Sequence, residues 1–236
     1  HRFAPNHAIY GDIGWVSSQL RRHIEICRLW NRLVDMPLSR LPRRILEWEL
    51  DFNNNWASEV KTILCKVDMQ FCYNNKVPCD LQLVRENLEA QEVDKWERER
   101  FLKPKLRLYN LYKRTLEPEI YVTNMPKHLR SLLAQYRAGI LPLAVETGRF
   151  SNTPLEERIC ISCKENVEDE FHVLCSCPKY NELREILYAV AQNSETEFDR
   201  WDPIEKFVYL NNNNQHEVAK YLEKVMRMRR LVLFKE

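Results

Sequence analysis

The chain has 236 residues, of which 44% are hydrophobic and 30% charged, with a formal net charge of +2 and four glycines. This is enough for one large domain or two modest ones around an apolar core, and it favours helices over a glycine-punctuated β fold. No stretch approaches the roughly 18 apolar residues of a membrane span, no basic-then-apolar leader opens the chain, and eight cysteines in a chain of this size suit thiolate ligands in a reducing compartment better than a disulfide scaffold.

The chain begins HRFAPN rather than with methionine and is expected to be part of a longer protein. Residues 18–34 place Leu20, Ile24, Cys27, Trp30, Leu33 and Val34 at helical spacing, with Arg21, Arg22, Arg28 and Arg32 on the other side. Two prolines in MPLSRLPRR end that helix, and a second is expected near Arg43–Leu50. An asparagine cap in NNNWASEVKTILCKV precedes a third, with Trp56, Val60, Ile63, Leu64 and Val67 on one face. Cys27 and Cys65 read as core thiols. Residues 72–79 read as a loop whose Cys72 and Cys79 have no nearby histidine to complete a metal site.

Asp80 is expected to cap a long helix reaching about Phe101, with Leu81, Val84, Leu88 and Trp96 inward. Lys103–Pro104 interrupts it, and KLRLYNLYKRTL follows as a short helix or extended piece. Pro126 and Gly139 bracket another helix. Residues 140–150 are the best candidate for extended structure. After the cysteine-rich stretch, Pro178 opens a helix, Asp202 caps a short one, NNNN at 211–214 is a loop, and a final helix spans roughly His216–Phe234. The expected fold is mainly α: a multi-helix body, a small zinc-stabilised hairpin module and a C-terminal helical segment. The expected divisions are 1–102, a basic segment 103–150, the zinc module with its following helix 151–193, and C-terminal helices 194–236.

The stretch RICISCKENVEDEFHVLCSCPKY, residues 158–180, holds four cysteines and one histidine. Zinc takes four thiolate or imidazole donors in a tetrahedron, and a CxxC turn supplies two of them along one edge. Cys160 and Cys163 form such a pair. If 170–175 is extended, Cys175 points away from His172, which leaves His172 and Cys177 as the second pair. Four protein donors leave no open position, so the zinc is structural rather than catalytic. The acidic run Glu165, Glu168, Asp169 and Glu170 reads as a solvated tip.

The segment RSLLAQYRAGILPLAVETGRF, followed by PLEERICISCKENVEDEFHVLCSCPKYNELR, resembles the C-terminal region of non-LTR (LINE-type) retrotransposon reverse transcriptases, with its zinc-knuckle-like Cys-Cys-His-Cys module. YGDIGW at 10–15 and WNRLVDM at 30–36 are also similar to that family. The resemblance maps metal ligands onto Cys160, Cys163, His172 and Cys177, and Cys175 is extra. It implies a nucleic-acid-handling portion of an enzyme that copies RNA into DNA. The chain carries no Asp-Asp pair of polymerase type and no endonuclease-like cluster, so it is expected to be non-catalytic itself.

Charge distribution supports a nucleic-acid partner. Residues 103–150 carry nine Lys/Arg against three Asp/Glu, whereas 156–170 carry two against six. Lys105, Arg107, Lys113, Arg114, Lys127, Arg130 and Arg137 are the candidate phosphate contacts on RNA or DNA, with Tyr109 and Tyr112 as candidate base platforms. Arg149 either joins them or pairs with the acidic loop. The expected partners are RNA or DNA and the upstream polymerase domain, with no membrane, in the nucleus or cytoplasm. The other reading is a zinc-stabilised protein-interaction module, including a host-adopted or decayed element.

Overall fold

A computed structural model describes residues 4–52 and 55–233. Its helices are, in chain order, α1 (Asn6–Ile13), α2 (Ser18–Val34), α3 (Leu41–Phe52), α4 (Asn55–Lys66), α5 (Gln70–Asn74), α6 (Leu81–Phe101), α7 (Tyr109–Tyr112), α8 (Tyr121–Asn124), α9 (Lys127–Arg137), α10 (Ala144–Phe150), α11 (Asn181–Ser194), α12 (Pro203–Asn213) and α13 (Gln215–Leu233). The fold is mainly α, and no β-strand forms among the described residues. None of the described helices is long and apolar enough to cross a membrane. The asparagine cap expected before α4, at residues 53–54, and the expected end at Phe234 lie outside the described residues.

The chain divides into two compact units, Val16–Glu97 and the described part of His1–Trp15 with Arg98–Glu236. The division near residue 102 expected from the sequence thus falls a few residues earlier. Residues 4–15 join the later unit, and the boundaries drawn at 150 and 193 separate no compact units. The reason for the first change is a contact no local pattern shows: Asp12 pairs with Arg137, 125 residues on.

In the Val16–Glu97 unit the helical stripes meet as expected. Leu20, Ile24, Cys27 and Trp30 of α2 pack with Leu46 of α3, Val60, Ile63 and Leu64 of α4 and Val84 and Leu88 of α6. Ser17 caps α2 by accepting from Leu20 N at 3.1 Å, and Asp80 caps α6 by accepting from Gln82 N and Leu83 N. The buried Arg43 donates to the terminal carbonyls of Leu33 and Val34, closing the C-terminus of α2. The 72–79 segment is partly helical and is pinned to α2: Trp30 Nε1 donates to Val77 O, and the Asn31 amide exchanges hydrogen bonds with the Cys79 backbone. Cys65 is exposed rather than in the core. The stripe at 60, 63, 64 and 67 turns position 65 toward water.

In the other unit a buried polar cluster takes the place of part of the apolar core. Arg137 donates to both carboxylate oxygens of Asp12, at 2.8 and 2.9 Å, and to Asn211 O. The hydroxyls of Tyr109 and Tyr121 donate to the same carboxylate at 3.0 and 2.7 Å. The guanidinium also lies 4.8 Å from the ring centre of Tyr112 and about as near to the rings of Tyr109 and Tyr121. One side chain of α9 thereby ties α1, α7, α8 and α12 together. Gly139 ends α9 at φ +63°, where a Cβ would meet Lys105 O at 2.6 Å. Asp202 and Glu205 form a reciprocal capping box at the start of α12, as the sequence indicated for Asp202.

Residues 144–150 are the helix α10, not the extended segment expected for 140–150. Its first amides are capped from afar: Ala144 N donates to Glu168 Oε2 and Val145 N to Glu168 O. A cap 24 residues away leaves no local signature.

Replacing Arg137 with methionine is expected to destabilise the protein by about 3–5 kcal/mol, because it leaves the Asp12 charge buried without its partner. Chemical denaturation followed by circular dichroism measures this, and a loss below about 1 kcal/mol would contradict the role assigned to the pair.

Candidate metal centre

Residues 158–168 double back through a tight turn. Cys160 N donates to Asn166 O and Glu168 N to Arg158 O, around a single antiparallel bridge between Ile159 and Val167. The expected hairpin is thus reduced to that one bridge. Lys164, at φ +62°, carries the turn that follows the CxxC pair, and its amide donates to Cys160 O.

The second half of the site is helical, not extended. His172–Ser176 forms a π-helical turn, and Cys177 N donates to His172 O at 2.7 Å. A bond from residue i+5 back to residue i sets those two residues one above the other. The HxxxxC spacing is therefore what a π turn needs to bring imidazole and thiol together. Asp169 starts the turn by accepting from His172 N at 2.7 Å.

The donor atoms of Cys160, Cys163, His172 and Cys177 all lie within 4.8 Å of one another. Cys160 Sγ and Cys177 Sγ are 3.9 Å apart, and Cys163 Sγ lies 3.4 Å from His172 Nε2. A tetrahedral zinc with bonds of about 2.3 Å to sulfur and about 2.0 Å to nitrogen sets these edges near ~3.8 and ~3.6 Å. The group is thus close enough, and of the right donor chemistry, to hold a metal ion. Three of the four residues are buried and Cys163 is half-buried. The neighbouring Cys177 sulfur, with help from His172, draws the Cys160 thiol well below its ordinary range. Cys175 lies outside the group, and burial pushes its thiol up to about 12. The exclusion of Cys175 stands, although the backbone that excludes it is helical.

A dense set of contacts orients these ligands. Arg184 donates to the carbonyls of Leu174 and Cys177, Tyr221 OH donates to Val173 O, and the hydroxyls of Tyr180 and Ser162 are 2.7 Å apart. Such contacts fix how the ligands are oriented.

The acidic run is not a solvated tip. Only Glu165 of its four members is exposed. Glu168 is fully buried and accepts both arms of the Arg229 guanidinium, at 2.9 and 2.8 Å, with Cys160 Sγ 3.7 Å away. Asp169 pairs with Arg107 at 2.7 Å. Glu170 is buried, and that burial pushes its carboxyl up to about 7. The sequence did not single out Glu168 as a site residue. The Ile159–Val167 register carried a signal, since it sets Glu168 on the same side as Cys160.

The seven candidate phosphate contacts do not form one surface. Arg137 and Lys113 are buried, and Lys113 is bonded to Glu119 Oε1 and Glu117 O. Lys105 is bonded to the buried Glu146, and Arg107 to Asp169. The half-buried Arg130 donates to Val122 O at 2.8 Å. Arg114 and Lys127 are exposed. Tyr109 and Tyr112 are buried against Arg137 rather than presented as platforms for bases. Arg149 lies 3.3 Å from Glu146, within its own helix. Five of the nine basic residues of 103–150 are paired with carboxylates, and two of those carboxylates, Asp12 and Asp169, lie outside the segment, where a local charge count does not reveal them.

Cys175→Ser is expected to retain one metal ion per chain, and Cys177→Ser and Cys160→Ser to lose it. Metal analysis of the purified variants checks this, and loss on Cys175→Ser with retention on Cys177→Ser would overturn the ligand set. No known protein family, curated protein or solved structure matches the chain.

Proposed function

We propose that this chain is a nucleic-acid-binding, non-catalytic portion of a LINE-type retroelement reverse transcriptase, organised by a structural zinc ion. The observation that carries the reading is the closed Cys3His group, formed by the same four residues that the resemblance assigns as ligands. Four protein donors leave the ion no open position for substrate or water, so its role is to hold the fold. Thiolate ligands of this kind persist in a reducing intracellular compartment, the cytoplasm or nucleus.

The phosphate grip rests on the cations that remain exposed. Arg114 and Lys127 keep their assignment, and Arg130 is half-exposed beside Lys127 on α9. Lys220, Lys224, Arg227 and Arg230 of α13 add an exposed basic face to the same unit, with α9 packed against α13. These residues contact phosphates and position RNA or DNA without reading its sequence. Lys105, Arg107, Lys113 and Arg137 hold the fold instead.

The engagement of those four residues in internal bonds favours a second reading, a metal-stabilised protein-interaction module with the polymerase portion as partner. Salt dependence separates the two. The first predicts that affinity for a single-stranded RNA or DNA oligonucleotide falls steeply with salt, and that Lys127→Ala and Arg227→Ala each lower the slope of log affinity against log salt by about 0.7. Fluorescence anisotropy over a salt series measures this. A flat response would sink the nucleic-acid reading and leave the interaction module.

A further inference from the structure

Helix α3 presents an apolar stripe on its outer side. Its inner side is accounted for: Leu46 is in the core, Arg43 closes α2, and Glu47 pairs with Arg43 and Lys76. On the other side Leu41, Ile45, Trp48 and Phe52 are 66, 49, 57 and 68% exposed, and Leu38, just before the helix, is 66% exposed. Within α3 the spacings 41–45–48–52 run four, three and four, the seam of a helix that packs lengthwise on another. Trp48 and Phe52 lie side by side with ring centres 5.0 Å apart.

We infer that this stripe is an interface between two copies of the chain, with the α3 helices packed antiparallel about a two-fold axis. Charge and shape identify the occupant. The flanks of α3 carry Arg40 and Arg44 at its N-terminal end and Glu49 and Asp51 at its C-terminal end. This order is the reverse of what the helix dipole favours, and α3 has no acidic residue in its first turn and no basic residue in its last. A second α3 laid antiparallel corrects it, because each acidic end meets the partner's basic, dipole-positive end. Arg44 and Asp51 lie on the same flank, so in this arrangement each faces the other's copy, giving two symmetric ion pairs.

The apolar layers are complementary as well: Leu41 meets Phe52 of the second copy and Ile45 meets its Trp48, a small residue against a large one throughout. A parallel pair would stack Trp48 on Trp48 and Phe52 on Phe52 and align the dipoles unfavourably. Side chains of this size expose on the order of 200 Å² each when free. With about half to two-thirds of five of them exposed, the stripe offers roughly 600 Å² per copy, and twice that in a pair lies at the lower end of the range for specific interfaces. A contiguous apolar patch this large is rarely left uncovered on a monomer.

Sedimentation equilibrium of the metal-loaded chain over micromolar to hundreds of micromolar concentrations tests the inference. A reversible monomer–dimer equilibrium is expected. Trp48→Lys, at a side chain more than half exposed, should weaken it by about tenfold or more with unchanged circular dichroism. Arg44→Asp alone should also weaken it, and Arg44→Asp combined with Asp51→Arg should restore it. Monomer at every concentration would overturn the proposal. So would failure of the double swap to restore the dimer, and rescue by Glu49→Arg in place of Asp51→Arg would indicate parallel helices and overturn the arrangement.

Discussion

The arrangement around the Cys3His group turns on one carboxylate. Glu168 has no exposed surface, and its oxygens accept from two helices. Both arms of Arg229 bring α13 to it, the Ala144 amide brings the start of α10, and the Cys160 sulfur lies 3.7 Å away. A buried carboxylate is costly to desolvate and persists only where charge-assisted bonds fill its acceptor positions. Here the donors to the side chain come from α10 and α13, while the Glu168 backbone amide closes the turn through its bond to Arg158 O, so the turn that presents Cys160 and Cys163 and the helices that carry the body are held by the same residue. An ion that orders the turn also places Glu168, and through it α10 and α13.

The same logic runs through the rest of this unit. Asp12 with Arg137, Glu119 with Lys113, Glu146 with Lys105 and Asp169 with Arg107 all join residues of opposite charge, several of them far apart in sequence. Buried pairs of this kind are weak sources of net stability, since desolvation offsets much of their attraction, but breaking one is expensive. Their effect here is to define which helices meet: a wrong pairing leaves a charge buried alone. A metal ion held by the Cys3His group would serve the same end as the ion pairs, fixing a single arrangement in a region where many helices are short, α7 and α8 having only four residues each.

Much of the architecture was legible because it depends on local periodicity. The stripes of α2, α4 and α6, the cap at Asp202 and the stop at Gly139 follow from residue spacing and turn chemistry. The proximity of the four Cys3His side chains was legible too, since CxxC and HxxxxC are local spacings that a turn and a π-helical bend convert directly into proximity. What the sequence hid was long-range electrostatics. Residues 103–137 read as a basic surface only until their partners, at 12, 119, 146 and 169, are brought beside them. The helix at 144–150 was hidden for the same reason, its cap being Glu168.

Through Glu168, a metal ion held by the Cys3His group would couple the turn at 158–168 to α10 and α13. Hydrogen exchange of the backbone amides, compared for the metal-loaded chain before and after removal of the ion by a chelator, tests it most directly. The account predicts that loss of protection spreads from residues 158–180 into α10 and the part of α13 around Arg229, while α2 and α4 remain as protected as before. Loss confined to 158–180, with α10 and α13 unchanged, would contradict it.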